Sequence, residues 1–280
     1  MVGEGVTTLN VQDKVGVSPV RYSCLKCRYC KMTHTQMCEE RIYLYGEGFF
    51  GGYCTHVQID HNWAVKVPSG LDLQQLPPLL CAGVTTYGPL KRFQKVGAKC
   101  AVLGIGGLGH LGIQFANKMG MRVTAFTTRL HTIDALRKLG AADASHSTDK
   151  ESLKKEEGKY DVVLSTLYIE DPELYQLHQR LTKPGGVHIM VGVPDNSAIY
   201  QLDTEYLVNN EITLAGSNVG SIKEVAEMMQ FAADYGIESV NEHFDFGDFP
   251  KALHRAEKEH PHYRCVINVV DWAKKNGFDK

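Results

Sequence analysis

Four cysteines fall within fifteen residues, as Cys24-x2-Cys27-x2-Cys30-x7-Cys38. Four thiolates at such short spacing can wrap one tetrahedral Zn²⁺ at about 2.3 Å each, with no position left for water. A centre of that kind is structural rather than catalytic. Spacing alone does not choose the metal, and an iron–sulfur cluster stays open as the alternative. The other four cysteines, Cys54, Cys81, Cys100 and Cys265, are scattered. In a chain of this length that pattern reads as a metal site plus ordinary thiols in a reducing compartment, not as a disulfide framework.

The second chemical signal is Gly104-Ile105-Gly106-Gly107-Leu108-Gly109. Glycines permit a tight turn and close main-chain approach to a pyrophosphate, and a helix N-terminus offers N–H groups and a favourable dipole to the anion. The string alone is weak, but here it follows a short apolar strand, Ala101–Ile105, and opens a helix. Leu108, Leu111, Gly112, Phe115, Ala116 and Met119 share one face of that helix, and Gly120 is placed to end it. The next strand, Met121–Phe126, leads into Thr127-Thr128-Arg129. An NAD site usually has a carboxylate about 20 residues beyond the motif, on the ribose 2′-OH. Here two hydroxyls and a guanidinium stand in that region instead, and they suit a 2′-phosphate. NADP(H) is therefore favoured over NAD(H).

The elements that must position these groups change in texture along the chain. The first 80 or so residues lack helical periodicity, and Val15, Val17, Val20, Val57, Ile59, Ala64, Val65 and Val67 read as short strands punctuated by glycines. From about Leu79 apolar runs alternate with helical patterns, the signal of a parallel sheet with crossover helices. A helix is expected to end at Leu139 before Gly140, and strands are expected over Tyr160–Leu164, Val187–Val191 and Ile212–Ala215. Asp171 before Pro172 marks one helix start, and Ser221 with Glu224 forms a capping box for a helix ending near Gly236. The charged stretch Asp149–Lys159 reads as a solvated helix or loop.

Composition narrows the function classes. The 280 residues carry 30 Lys+Arg against 32 Asp+Glu, a net charge of −2, with 43% hydrophobic and 22% charged residues. Without a basic tract there is no electrostatic reason to bind nucleic acid. No apolar run approaches the roughly 18 residues of a membrane span, and no leader pattern opens the chain. The expectation is a globular cytoplasmic protein.

Together with Leu79-Leu80-Cys81-Ala82-Gly83-Val84-Thr85-Thr86-Tyr87, the cysteine spacing and the glycine turn with His110 resemble the zinc-containing medium-chain dehydrogenases. More narrowly, they resemble the cinnamyl-alcohol-dehydrogenase-like, NADP-dependent alcohol dehydrogenases. Supporting strings are Asp13–Val17, Phe50–Tyr53, Val191-Gly192-Val193-Pro194, Ala215-Gly216-Ser217 and Tyr263–Ile267. The resemblance implies an α/β fold: a Rossmann doubly wound parallel sheet plus a truncated GroES-like β domain. It divides the chain into a zinc domain at residues 1–80, an NADP-binding domain at 81–219 and a segment at 220–280 that returns to the first domain. It implies that Cys24, Cys27, Cys30 and Cys38 hold the structural zinc and that Cys81 is a catalytic-zinc ligand. It further places Thr85 near the nicotinamide, Ser217, Asn218 and Val219 in a loop at the same end, and Gly192 among the cofactor residues. The implied substrate is a small primary alcohol or aldehyde. Homodimerisation, common in the family, would pair the strand near Ile212–Ala215 across a two-fold axis.

The departures from the family are as informative. Its catalytic zinc also uses a Cys and the His of a Gly-His-Glu motif, both upstream of a Gly-Asp-Lys-Val segment. This sequence starts just before its version of that segment, contains no Gly-His-Glu, and has Gln12 in place of the Gly. Cys81 alone cannot supply the three protein ligands a catalytic zinc needs, and Cys54, His56 or His61 would have to move in. Two readings follow: an active NADP-dependent oxidoreductase seen in shortened form, or an inactive short form that binds NADP(H) without the catalytic zinc. A first domain shorn of strands is expected to expose edges and apolar side chains and to lean on its metal. A zinc-independent quinone-type reductase fits less well, because that branch needs neither the four-cysteine lobe nor Cys81, and a nucleic-acid zinc module lacks its basic patch. His110, His131, His146, His178, His188 and His254 are each lone and read as surface or satisfied core residues, Cys100 and Cys265 as buried thiols, and Trp63 as core.

Overall fold

The computed structural model describes residues 1–46, 48–193, 201–259 and 261–278. The chain divides into two compact units, Met1–Val84 with Val219–Lys280, and Thr85–Asn218.

The N-terminal part of the first unit is built from short strands: β1 (Val15–Val17), β2 (Val20–Tyr22), β3 (Ile42–Tyr43), β4 (Tyr45–Gly46), β5 (Phe49–Phe50) and β6 (Ala64–Lys66). They pair antiparallel as β1–β6, β2–β3 and β4–β5. The one-turn helix α1 (Arg28–Lys31) lies between β2 and β3, and α2 (Leu76–Pro78) leads into a π-helical turn over Leu79–Gly83. Val57 and Ile59 do not form the expected strand. Arg21 donates to the Gln58 carbonyl at 2.9 Å, and Asp60 caps a 3₁₀ turn over His61–Trp63, so this stretch finds its hydrogen bonds outside a ladder. Trp63 is core, stacked on Tyr22 at 5.8 Å. Gln12, where the resembled family has glycine, takes φ 78°, a left-handed conformation that glycine adopts without steric cost. Tyr45, Tyr53, Met32, Leu25 and Val57 are exposed.

The second unit contains a six-stranded parallel sheet. Helix α3 (Val84–Phe93) precedes β7 (Lys99–Leu103), α4 (Gly109–Lys118), β8 (Arg122–Thr127), α5 (Ile133–Lys138), β9 (Asp143–His146), α6 (Lys150–Lys155), β10 (Tyr160–Ser165), α7 (Pro172–Arg180), β11 (Thr182–Met190), α8 (Thr204–Asn209) and β12 (Thr213–Gly216). The strand order is β12-β11-β10-β7-β8-β9. The chain therefore winds outward from β7 through β9, then crosses back to lay β10 beside β7, and the switch point lies between those two strands. Local chemistry sets many of the boundaries. Gly120 (φ 83°) and Gly140 (φ 105°) follow α4 and α5, and the Asp171 carboxylate accepts from the N–H groups of Glu173 and Leu174 at the start of α7. Strand β7 ends at Leu103, two residues earlier than expected, because Gly104 turns the chain at φ 84°. Ala101, Leu103, Phe126, Val163 and Leu181 form the apolar centre under α6 and α7.

The return segment completes the first unit with α9 (Ile222–Tyr235), β13 (Asn241–Asp245), α10 (Phe249–Lys258), β14 (Arg264–Asn268) and α11 (Val270–Lys275). Ser221 and Glu224 form the reciprocal capping box of α9, and Gly236 closes it at φ 62°. Thr35 Oγ1 accepts from the Ile222 N–H at 3.3 Å, and the Asn241 side chain donates to Gln75 Oε1 at 2.8 Å, tying the return segment to the N-terminal part. Among the described residues no helix is long and apolar enough to cross a membrane.

Candidate functional site

The four clustered cysteines converge. Their sulfur atoms all lie within 4.8 Å of one another. Cys24 Sγ sits 3.6 Å from Cys38 Sγ and 3.9 Å from Cys30 Sγ. A tetrahedron with 2.3 Å metal–sulfur bonds has edges of about 3.8 Å, so the donor set fits a zinc ion. The main chain is bent to reach this arrangement: Leu25 (φ 55°) and Thr33 (φ 63°) both adopt left-handed conformations unfavourable for their side chains. The sulfurs also collect N–H donors. Cys27 N–H donates to Cys24 Sγ at 3.3 Å and Cys30 N–H to Cys27 Sγ at 3.5 Å, the latter capping α1. Donation from Lys26 and Cys27 draws the Cys24 thiol down to about 7, whereas burial pushes the Cys30 thiol up to about 11.

In the second unit, parallel pairing brings the strand ends to one edge. Gly104 follows β7, Thr127 ends β8, Thr166 follows β10, and Gly192 and Ser217 follow β11 and β12. An α/β sheet binds ligands in the crevice at this carboxyl edge, at the switch point. The turn itself is geometrically specified. Helix α4 starts at Gly109 with no side-chain cap, and Gly109 is buried. Gly106 is exposed, and a Cβ there would meet no atom within 4 Å, so the main chain is open to a close ligand. Gly107 and Leu108 are half-buried beside it. His110 is a satisfied core residue, its Nδ1 3.0 Å from the Gly106 carbonyl. Thr127 is buried, with Oγ1 accepting from the Arg129 N–H at 3.1 Å, while Thr128 and the Arg129 side chain are exposed. These residues suit a phosphorylated dinucleotide: an uncapped helix start for the diphosphate, and a cation with hydroxyls at the next strand end.

The sequence pattern did not single out Thr166. Its Oγ1 donates to the carbonyls of Leu103 (3.0 Å) and Gly104 (2.8 Å), and its N–H donates to Leu103 (3.0 Å). Thr166 thereby clasps the glycine turn from just beyond β10, 62 residues after Gly104. A Cβ on Gly192 would lie 2.6 Å from the Leu167 carbonyl, main chain that cannot turn aside, whereas Gly104, whose Cβ would meet the Leu167 side chain at 2.4 Å, is held to glycine by its φ of 84°. Ser217 N–H donates to the Met190 carbonyl at 3.1 Å, Asn218 is exposed and Val219 buried. Pro194, part of the Val191–Pro194 string, lies outside the described residues.

Cys81 lies in the π-helical turn, and Thr85, buried, in the first turn of α3. The Cys81 thiol is reached by solvent yet has protein on most sides. That desolvation pushes it up, and the Arg264 guanidinium opposes the effect. Among the described residues, the only group of three or more Cys, His, Asp or Glu able to share an ion is the four-cysteine cluster. Cys54 Sγ points to the Gly51 carbonyl at 3.6 Å, His56 Nδ1 to Thr55 Oγ1 at 3.2 Å, and His61 Nδ1 to Thr8 Oγ1 at 3.3 Å. None of the three joins Cys81 in such a group, so the described residues around Cys81 do not fit a catalytic zinc.

A Rossmann sheet with an open glycine turn, joined in one chain to a four-cysteine metal lobe, defines a zinc-containing dinucleotide-dependent dehydrogenase. Comparison with known proteins gives the family. Residues 1–69 match the alcohol dehydrogenase GroES-like domain, and residues 107–234 match the zinc-binding dehydrogenase domain. A probable mannitol dehydrogenase from Mesembryanthemum crystallinum is 36% identical, over 98% of this chain and 77% of its own length. A probable formaldehyde dehydrogenase from Bacillus subtilis is 34% identical, over 96% and 78%. Among solved structures, a cinnamyl alcohol dehydrogenase from Sorghum bicolor superposes with a TM-score of 0.87 at 30% identity, covering 96% of this chain and 78% of that one. A cinnamyl alcohol dehydrogenase from Helicobacter pylori complexed with NADP(H) gives 0.84 at 27%, covering 95% and 78%. The chain belongs to the zinc-binding alcohol dehydrogenase family, a family of oxidoreductases, in its cinnamyl-alcohol-dehydrogenase-like branch.

Proposed function

We propose that this chain is an NADP(H)-dependent alcohol dehydrogenase/aldehyde reductase at family level, acting on a small primary alcohol or aldehyde, with one structural zinc on Cys24, Cys27, Cys30 and Cys38. The observation that carries it is the Gly104–Gly109 turn, open at Gly106, beside a strand end bearing Thr127, Thr128 and Arg129 and no carboxylate. The H. pylori neighbour with NADP(H) supports the same cofactor. When bound, the dinucleotide exchanges hydride at C4 of its nicotinamide. The main chain at Gly106, Gly107 and Leu108 holds the diphosphate, Gly109 lets α4 start against the turn, and Arg129 with Thr127 and Thr128 selects the 2′-phosphate. Thr85, Ser217, Asn218 and Val219 are assigned to the nicotinamide side, Gly192 to the cofactor site, and Cys81 to the reacting centre. The chain is read as cytoplasmic, where zinc thiolates stay reduced, and as a homodimer paired through β12.

A second reading is favoured by one observation: Cys81 belongs to no ligand group of three among the described residues. On that reading the chain binds NADP(H) without turning over alcohol, and no zinc-assisted step is assigned to it. Calorimetry with NADPH, followed by the nicotinamide absorbance in the presence of an aldehyde, separates the two. Binding with turnover supports the first reading and binding without turnover the second. Absence of binding overturns both.

A further inference from the structure

The second unit buries a set of polar side chains that the cofactor edge does not use. His178 and Gln179 on α7, and Thr182 and His188 on β11, are all fully buried. Nine buried side-chain N or O atoms lack a hydrogen-bond partner among the described residues, and six of them fall between residues 178 and 188: His178 Nδ1, both amide atoms of Gln179, Thr182 Oγ1 and both ring nitrogens of His188. The two rings are close enough that charge on one opposes charge on the other. The His178 carbonyl lies near the His188 ring, but not within hydrogen-bond geometry.

One contact decides the tautomer. His178 Nε2 is 2.7 Å from the Ser147 carbonyl, which can only accept. Nε2 therefore carries the hydrogen, and Nδ1 presents a lone pair into the interior that no donor among the described residues meets. His188 is held neutral by burial, so it offers one donor and one acceptor nitrogen, neither met by a described residue. The desolvation cost of one orphaned polar atom is a sizeable fraction of a domain's net stability, and here it would be incurred six times. Buried polar groups of this kind are ordinarily completed by ordered water with about three hydrogen bonds.

We propose that His178 and His188 line a buried hydration site, where one or more ordered waters between α7 and β11 donate to His178 Nδ1 and bridge it to the His188 ring. The ligand is water rather than a metal ion, because these residues form no group of three Cys, His, Asp or Glu donors. The site also supports the carboxyl edge. Tyr175 packs edge-on to His188 at 6.3 Å and donates to Met190 Sδ at 3.0 Å, and the Met190 carbonyl holds Ser217. Nothing in this proposal depends on cofactor identity or turnover.

A crystal structure of the full chain at a resolution that shows ordered water is the first test, read with ¹⁵N NMR of the labelled imidazoles. The expected result is water within hydrogen-bond distance of His178 Nδ1 and a His188 nitrogen, with His178 as the Nε2–H tautomer. Dry packing, an anomalous metal peak at this position, or the opposite tautomer overturns the proposal. His188→Leu gives an independent arm: it strands the His178 lone pair and the bridging water, so the melting temperature falls. An unchanged or raised melting temperature means the pocket is dry and the proposal fails.

Discussion

A Cβ added to Gly109 would lie 2.0 Å from the carbonyl oxygen of Gly104, five residues earlier. That approach is closer than any real pair of atoms tolerates, and the obstacle is main chain that cannot rotate aside. The turn therefore depends on glycine at Gly109 for its shape, whereas at Gly106 the fold has room for a methyl group.

The two positions should separate fold from ligand. Gly109→Ala is expected to lower the melting temperature of the second unit and abolish NADPH binding together. Gly106→Ala should leave the melting temperature unchanged and weaken NADPH at least about tenfold, because the methyl occupies the path of the diphosphate. Calorimetry beside thermal melting reads both, and full affinity in Gly106→Ala would place the diphosphate elsewhere.

Arg129→Ala should discriminate between dinucleotides. A charge-assisted hydrogen bond to phosphate contributes about 1.5–3 kcal/mol, roughly ten- to a hundredfold in affinity. The expected loss is of that size for NADPH and small for NADH. Equal losses for both would remove Arg129 from the 2′-phosphate site.

Metal analysis should return close to one zinc per chain. Cys38→Ser should lose it and lower the melting temperature of the first unit, and a strong chelator should do the same. Cys81→Ser should leave the metal content unchanged. Two zincs per chain, with one lost in Cys81→Ser, would show a ligand set completed around Cys81 after all.

Acid should destabilise the second unit through its buried rings. Burial pushes His188 from the ordinary 6.5 down to about 3, and lowers His178 as well. Below about pH 6.5 the unfolded chain therefore takes up protons that the folded chain refuses. Stability is fully present above that pH and declines as pH falls, by at most about 1.4 kcal/mol per pH unit for each ring, levelling near the folded value. Urea unfolding at a series of pH values should show this slope, and His188→Leu should flatten it. An identical slope in the variant would assign the acid sensitivity to other groups.

Local order was legible in the sequence wherever a few neighbouring residues decide it. Asp171 and Ser221 cap their helices, and Gly120, Gly140 and Gly236 stop theirs, because capping and left-handed φ are short-range effects. The parallel α/β class and the metal-binding character of the Cys24–Cys38 lobe were legible for the same reason: periodicity and ligand spacing are written along the chain. The tertiary structure alone decided the rest. It laid β10 beside β7 and so brought Thr166 onto the carbonyl of Gly104, a contact no local rule announces. It left Val57 and Ile59 outside any strand, because a strand needs a partner as well as a pattern. It also took His178 and His188, which alone look like ordinary surface or core residues, and buried them so that His178 Nδ1 and both His188 ring nitrogens meet no hydrogen-bond partner among the described residues. Backbone preferences act over a few residues, whereas burial and pairing depend on which distant segments meet, and that information exists only in the folded chain.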